Sequence, residues 1–322
     1  MTRLRLLATG GTIASRSGTA GRTAQLSAAQ LLEQIAPLPP TIEVETQDVQ
    51  ATLSFALQLP DVQSLAQQVA AALESGVDGV VITHGTDSME ETAFLLDLLH
   101  DDPRPVILTG AQRPADSPAP DGPANLYAAL LAAAAGEARN CGVLLMFDGI
   151  AWPARGVQKV DSLGSAGFGA PGRGPVLRVI GDAVLPLAVP VRLASPLTDP
   201  YRALPRVDVI PMYLGVDATA VRAAVDAGAR GLVVAAFGAG NTPPAITKAL
   251  KDVLRSGLPV LICTRVAAGP VEPLYGGGGG ADLWEAGALF GADLTPWQGR
   301  LLLAAALAAG GEPATVLADW LT

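Results

Sequence analysis

The stretch VVITHGTDSMEETAFLLDLL, residues 80–99, combines a strand, a turn and a helix, and this unit predicts the fold class. It begins with apolar residues typical of a buried strand, turns through a glycine, and ends with apolar side chains at helical spacing. Ser88 and Glu91 form the S-x-x-E pattern of a capping box, which predicts a helix beginning near Met89. Strand-to-helix units of this kind are the building blocks of α/β proteins.

Short apolar runs alternate with helix-length segments along the chain, as they do in this unit. Because the runs are apolar on both faces, they predict strands of a parallel sheet that helices cover on both sides. The runs are residues 3–9, 79–83, 105–110, 142–147, 207–214, 231–237 and 259–264. The predicted fold class is therefore α/β.

The length of the chain, 322 residues, predicts two domains, since single cores usually stop growing at about 250–300 residues. Residues 186–206 carry several prolines without a sustained period, which is typical of a segment between domains. We expect a first domain at residues 1–190, a linker at 191–206 and a second domain at 207–322.

The composition argues against several classes of function. With 30 acidic and 21 basic residues the net charge is −9, which disfavours binding to nucleic acid or to anionic lipid. No apolar run approaches the ~20 residues that cross a bilayer, and TGGT interrupts the first run before the core of a signal peptide could form. The two cysteines, Cys141 and Cys263, lie in or beside apolar runs and indicate buried, reduced thiols. We therefore expect a cytoplasmic protein with no membrane partner.

Histidines at metal-ligand spacing are also lacking. His84 and His100 have no histidine or cysteine partner at such a spacing, so no metal site is expected. We expect His84 to hold the turn after its strand.

Polar residues gather where the predicted strands end, which is where open α/β sheets bind ligands. After the first strand, Gly10 and Gly11 allow a sharp turn that exposes the Thr12 hydroxyl. A glycine turn followed by a capping threonine explains this pattern equally well.

The turn within residues 80–99 carries more polar residues than a helix start needs. Ser88 alone satisfies the capping requirement, so Thr86 and Asp87 indicate a site. A helix start also presents unpaired N–H groups and the positive end of a dipole, which favour an anion or an oxyanion beside Thr86.

Three further loops carry candidate residues in less specific patterns. TGAQRP places Ala111 and Gln112 at the same edge of the predicted sheet. FDGIAWPARGVQKVDS contains Lys159, for which an ordinary surface lysine is an equal alternative. In FGAGNTPP, Asn241 or Thr242 could simply cap a helix.

Several motifs occur in one order along nearly the whole chain: TGGTIAS at 9–15, HGTDSMEETA at 84–93, GAQRP at 110–114 with DGPANL at 121–126, GVQK at 156–159 and GAGN at 238–241. Together they resemble those of the bacterial-type L-asparaginases, a family that includes glutaminase-asparaginases and an amidotransferase subunit. The resemblance implies a larger N-terminal, mainly parallel-sheet domain and a smaller C-terminal parallel α/β domain. It also implies hydrolysis of L-asparagine to L-aspartate and ammonia, no metal or organic cofactor, and a homotetramer of two intimate dimers with sites between subunits.

The resemblance assigns the chemistry to four residues. Thr12 resembles the nucleophile that attacks the side-chain amide, while Thr86, Asp87 and Lys159 resemble a second polar group across the substrate. An amide is a poor electrophile and a hydroxyl a weak nucleophile, so such a site needs an activating group and fixed donors for the oxyanion. Lys159 either serves as a base after desolvation or mainly orients Thr86, and the sequence does not choose between these roles.

The resemblance also assigns a set of residues that bind the substrate. Thr46 and Gln47 fall where the family has a Ser-Gln-Asp that holds the α-carboxylate, and Asn241 with Glu272 would come from the partner subunit to meet the α-ammonium. The full implied set is Gly11, Thr46, Gln47, Gly85, Ala111, Asn241 and Glu272.

One departure and two alternatives accompany this hypothesis. The segment SRSGTAGRTAQLS at 15–27 lacks the tyrosine common in the family, and Thr19, Thr23 or Tyr275 are candidates to replace it. The chain could instead be an ammonia-supplying amidotransferase subunit, or a non-catalytic amino-acid-binding α/β protein whose threonines are caps. Glutamine differs from asparagine by one methylene, so the sequence does not give the preference between the two substrates.

Overall fold

The computed structural model describes residues 1–18, 21–49, 52–197 and 199–321. The chain forms two compact units, Met1–Arg192 and Leu193–Thr322. Each has its own sheet and its own hydrophobic cluster.

The N-terminal unit is built on an eight-stranded sheet. The strands of this unit are β1 Thr2–Ala8, β2 Ser15–Gly18, β3 Gly21–Ala24, β4 Ile42–Asp48, β5 Gly79–Thr83, β6 Val106–Thr109, β7 Val143–Phe147, β8 Ile150–Pro153, β9 Gln158–Lys159, β10 Phe168–Gly169, β11 Leu177–Ile180 and β12 Ala183–Pro186. Its α-helices are α1 Ala28–Leu32, α2 Leu59–Glu74, α3 Met89–Leu98 and α4 Gly122–Ala134.

The large sheet is mainly parallel. Its order is β12-β11-β8-β7-β6-β5-β1-β4, and the five strands from β7 to β4 run parallel, whereas β8, β11 and β12 pair in antiparallel fashion. Every residue of β5, β6 and β7 is buried, because α4 packs against one face while α2 and α3 pack against the other. This arrangement brings the carboxyl ends of β1, β5 and β6 to one edge.

The C-terminal unit is a smaller parallel α/β layer. Its strands are β13 Val207–Pro211, β14 Gly231–Ala236, β15 Val260–Thr264 and β16 Leu289–Phe290, paired in that order. Its α-helices are α5 Thr219–Asp226, α6 Pro244–Arg255, α7 Gly280–Glu285, α8 Pro296–Ala309 and α9 Pro313–Val316. The long apolar helix α8 packs against β13, β14 and β15. The predicted fold class is confirmed, with a large N-terminal sheet and a smaller C-terminal one.

The two cysteines are free and buried, one in each unit. Burial raises the pKa of both the Cys141 and the Cys263 thiol. Among the described helices, none is both long enough and apolar enough to span a bilayer.

Candidate active site

The loops that follow β1 and β5 touch each other through their backbones. Ala8 pairs with Thr83 at the ends of the two strands, and the Thr9 hydroxyl donates to the Thr83 carbonyl at 2.9 Å. A Cβ atom on Gly11 would lie 2.5 Å from the backbone nitrogen of Gly85, so neither loop could keep its place with a side chain there. Gly11 also has φ 84° and ψ −176°, a conformation that is essentially restricted to glycine.

This contact brings two threonines to adjacent positions on touching loops. Thr12 follows Gly11 and opens a short 3-10 segment, Thr12–Ala14, while Thr86 follows Gly85 and is 6% exposed. The structure therefore brings the Thr12 and Thr86 segments together at the carboxyl edge of the sheet. Gly11 and Gly85 are the residues that permit the approach.

A serine that the sequence analysis missed lies against the second loop. Ser54 opens the short 3-10 segment Ser54–Ala56 and is 5% exposed. Its hydroxyl accepts a hydrogen bond from the Asp87 backbone nitrogen at 3.2 Å. The Ser88 hydroxyl donates to the Ser54 carbonyl at 2.7 Å, so the loop after β4 is fastened to the start of α3.

The predicted capping box at the start of α3 is wrong, although the helix does begin at Met89. Ser88 makes no side-chain capping bond, because its hydroxyl is used by Ser54 and its backbone, at φ −116° and ψ 16°, lacks the extended conformation of a capping residue.

Thr46 and Gln47 lie on the strand that precedes the Ser54 segment, and their part in substrate binding stays a prediction. Both lie inside β4, which continues to Asp48. Gln47 is engaged there: its amide oxygen accepts from Arg5 at 3.2 Å and its amide nitrogen donates to Gln68 at 3.1 Å. Thr46 is exposed on the same strand. The residue that the chain brings to the Gly85 loop is Ser54, after the end of that strand.

Lys159 joins the Thr86 loop through its side chain. Its ammonium group donates to Thr86 Oγ1 and to Asp87 Oδ1, each at 2.8 Å. The Lys159 side chain is 18% exposed and that of Asp87 is 55% exposed, so the ion pair sits where the protein meets solvent. The structure thus groups Thr86, Asp87 and Lys159 in direct contact.

The loop after β6 supports the same cluster. Gln112 Oε1 lies 3.5 Å from Thr86 Oγ1, and Gln112 Nε2 donates to the Asp161 carbonyl at 3.2 Å. The Asp121 carboxylate accepts from the backbone nitrogens of Gln112 and Arg113 at 3.0 and 2.8 Å, which fixes this turn. Ala111, just before it, is fully buried and can offer only backbone groups to a ligand.

A buried histidine and a partly buried glutamate flank the turn. His84 Nδ1 lies 2.7 Å from the Gly85 carbonyl, and burial lowers the pKa of His84 to about 4, so the ring is neutral at neutral pH and holds the turn as expected. Glu90 lies on the first turn of α3, where burial raises its pKa to about 7. Its carboxylate accepts a hydrogen bond from the Lys159 backbone nitrogen.

Asn241 and Glu272 lie together in the C-terminal unit. Asn241 Oδ1 accepts from the Gly280 backbone nitrogen at 3.2 Å, and the Glu272 backbone nitrogen donates to the Ala239 carbonyl at 2.8 Å. The side chains of Glu272 and Tyr275 are exposed. Of the other candidates to replace the absent tyrosine, Thr23 lies in β3 and Thr19 lies outside the described residues.

The described part of the chain contains no group of three or more histidine, cysteine, aspartate or glutamate side chains placed to hold a metal ion. The cluster instead offers two hydroxyls, an ammonium group, a carboxylate and the backbone N–H groups at the start of α3. Such a set can supply a nucleophile, a proton carrier and donors for an oxyanion.

Comparisons with known proteins agree with one another. Two family models match the chain: "Asparaginase, N-terminal" over residues 3–189 and "Glutaminase/Asparaginase C-terminal domain" over residues 206–318. The L-asparaginase of Bacillus licheniformis is 32% identical over 314 residues, which cover 96% of this chain and 97% of that protein. A probable L-asparaginase of Deinococcus radiodurans is 38% identical over 320 residues, which cover 96% of this chain and 94% of that protein. The crystal structure of a probable cytoplasmic L-asparaginase from Campylobacter jejuni has a TM-score of 0.91 and 31% identity, with 100% of both chains covered.

Proposed function

The chain belongs to the bacterial-type asparaginase family, and from this premise we propose that it hydrolyses L-asparagine to L-aspartate and ammonia with Thr12 as the nucleophile. The observation that carries the proposal is the backbone contact between Gly11 and Gly85, which sets Thr12 beside the Thr86 cluster. No metal or organic cofactor takes part in the proposed reaction.

The proposed reaction has two halves. The Thr12 hydroxyl oxygen attacks the amide carbon of the substrate, its proton passes to the leaving nitrogen, and ammonia departs from an acyl-enzyme ester. Water then attacks the ester, releases aspartate and returns the proton to Thr12. Backbone N–H groups beside Gly11 and Gly85 stabilise the oxyanion in each half, and each such donor is typically worth about 3–4 kcal/mol.

In this proposal Lys159 orients Thr86 and does not remove a proton from it. An ammonium group has three donors and no acceptor, and Lys159 uses two of these donors for Thr86 and Asp87. Because Thr86 Oγ1 accepts from Lys159, its own proton is available to Gln112, to water or to the substrate.

Ser54 is added to Thr46 and Gln47 in the proposed binding site. Its hydroxyl oxygen is already an acceptor for the Asp87 nitrogen, so its proton can be donated to the α-carboxylate of the substrate. Asn241 and Glu272 stay in the proposal as contributions that a second copy of the chain makes to the α-ammonium.

Glutamine is a proposed side substrate. It is longer by one methylene, a difference that hydrophobic pockets discriminate by only about 1–3 kcal/mol. The C-terminal family model carries both activities in its description.

The proposed assembly is a homotetramer of two intimate dimers in the cytoplasm. One segment supports association: Ile180, Leu185, Leu187, Val189 and Val191 all expose large apolar side chains, at 42% to 82% of their area. Runs of exposed apolar residues commonly mark interfaces between proteins. Light scattering coupled to size exclusion measures the assembly directly, and a monomer would contradict this part of the proposal.

The deciding experiment is incubation of the purified protein with asparagine and, separately, with glutamine, while ammonia and the amino-acid product are measured. We expect equal amounts of ammonia and aspartate from asparagine. Added hydroxylamine should divert part of the product to the aspartyl hydroxamate, because it competes with water for the acyl-enzyme. Tight aspartate binding without ammonia release would favour the non-catalytic alternative, and turnover that requires a partner protein would favour the amidotransferase subunit.

A further inference from the structure

Resting on the proposed function, we propose that Glu90 is a positioning residue that holds the Lys159 backbone, and that its protonation state controls the contact between the Lys159 ammonium group and Thr86. Gln112 is the second support of the same segment. Neither side chain is given a chemical step in the reaction.

Lys159 is fixed at both ends by one short segment of the chain. Its backbone N–H donates to Glu90 Oε2, and its ammonium group donates to Thr86 and Asp87. The acceptors therefore span only residues 86–90, from the turn to the first turn of α3. A shift of the Lys159 backbone away from Glu90 would carry the ammonium group away from Thr86.

Lys159 lies in a very short strand, Gln158–Lys159. β9 and β10 consist of two residues each and pair only with one another in a two-stranded sheet. Short isolated pairs of strands are marginal in stability, so the bond from Glu90 adds to what fixes the Lys159 backbone.

Gln112 supports the residues that follow Lys159 in the chain. Its amide nitrogen donates to the Asp161 carbonyl at 3.2 Å while its amide oxygen lies 3.5 Å from Thr86 Oγ1. A Cβ atom on Gly167 would lie 2.5 Å from Gln112 Nε2, so the amide group is packed closely against the loop between β9 and β10. Glu90 and Gln112 thus connect the Lys159 segment to the Thr86 loop at two points.

Glu90 can change its charge in the range where enzymes work. The pKa of Glu90 is raised to about 7, mainly by burial; the Lys159 N–H bond and ammonium group lower it, and the Glu91 carboxylate adds to the rise. Among the described residues, no titratable group on β7 or α2, which pack against α3, acts on Glu90. As the pH falls through about 7 the carboxylate gains a proton and becomes a weaker acceptor for the Lys159 N–H, so activity should fall as well.

The test compares Glu90→Gln and Glu90→Leu with the wild-type chain across about pH 5.5 to about pH 9. Leucine removes the acceptor, so above about pH 7 we expect kcat to fall about 10- to 100-fold with little change in KM, and below it by less because the wild-type contact is already weakened. Glutamine keeps an acceptor oxygen but does not titrate, so it should restore at least about tenfold over leucine and remove the decline in activity near pH 7. Glu74→Gln, an exposed carboxylate at the end of α2, is the matched control and should keep the wild-type profile.

Two results would overturn the proposal: a Glu90→Gln profile with the wild-type decline near pH 7, or a Glu90→Leu variant with wild-type kcat. Hydrogen exchange of the Lys159 amide at about pH 8 supplies a readout that does not depend on turnover. We expect faster exchange in Glu90→Leu than in Glu90→Gln, whereas equal exchange rates would refute the positioning role. If the wild-type chain releases no ammonia, the proposed function fails while the exchange experiment still decides the role of Glu90.

Discussion

The two touching loops at the carboxyl edge of the large sheet hold their threonines in opposite ways. Thr86 is 6% exposed and lies in contact with Lys159 and Gln112. Thr12 is partly exposed, and its hydroxyl makes no hydrogen bond to any other residue in the described part of the chain. A hydroxyl that must form and break a covalent bond needs freedom from competing partners, whereas one that guides protons needs a fixed direction. The comparison therefore favours Thr12 as the nucleophile and Thr86 as the oriented partner.

The largest expected effect on turnover comes from removal of the Thr12 hydroxyl. Thr12→Ala should lower kcat by at least about 10³-fold, because the acyl-enzyme cannot form without the oxygen that attacks. Ammonia release in a steady-state assay measures the loss. Glu74→Gln, at the end of α2, is again the control and should keep wild-type turnover. Full turnover in Thr12→Ala would contradict the assignment of Thr12 as the nucleophile and favour Thr86 in that role.

The Thr86 hydroxyl and the Lys159 ammonium group, which are hydrogen-bonded to each other, should contribute to activity as one unit. Thr86→Ala and Lys159→Met should each lower kcat by about 10²- to 10⁴-fold, since proton transfer and orientation contribute effects of that size. Because both variants break the contact of 2.8 Å between Lys159 Nζ and Thr86 Oγ1, the double variant should lose little more than either single one. Losses that multiply in the double variant would show that the two side chains act independently.

The contact between the loops should be sensitive to a single methyl group. Gly11→Ala should lower the free energy of unfolding by about 3 kcal/mol, since it combines a strained backbone with overpacking against Gly85. Gly76→Ala is the matched control, because that glycine also has a positive φ of 90° but has open space around its Cβ position. Gly76→Ala should lower the free energy of unfolding by about 1–2 kcal/mol, which is the cost of the backbone strain alone. Urea unfolding of both variants measures the difference, and equal costs would mean that the loops do not constrain each other.

The smallest expected effect is on substrate binding by Ser54, which lies against the Thr86 loop. Ser54→Ala should raise the KM for asparagine by about 10- to 100-fold with a smaller change in kcat, as for a lost hydrogen bond to a charged group. A variant in which kcat falls and KM is constant would instead place Ser54 with the catalytic loop, through its bond to the Asp87 nitrogen.

The central strands could be predicted from the sequence because their signal is local. Every residue of β5 and of β7 is buried, and each strand corresponds to a continuous apolar run. β4 was missed because its sequence, IEVETQD, lies at the edge of the sheet, where polar residues are tolerated. The antiparallel additions β8, β11 and β12 were missed for a related reason, since many of their residues are only partly buried or exposed.

The candidate site could be predicted only where glycine turns and polar residues follow a strand directly. The Thr12 and Thr86 loops have that signature, and the structure brings them together. Ser54 and Glu90 carry no such signature, because their contacts with the site are hydrogen bonds to residues 33 and 69 positions away in the chain. The capping box failed because a distant carbonyl, that of Ser54, competes for the Ser88 hydroxyl.

The placement of one buried thiol in each unit gives the chain two internal reporters of unfolding. A buried thiol with a raised pKa reacts slowly with alkylating reagents, so modification requires local or global opening. The labelling rate of Cys141 follows opening of the N-terminal unit, and that of Cys263 follows opening of the C-terminal unit. Mass spectrometry of the two cysteine peptides would therefore measure opening around each thiol within the intact chain, without any engineered probe.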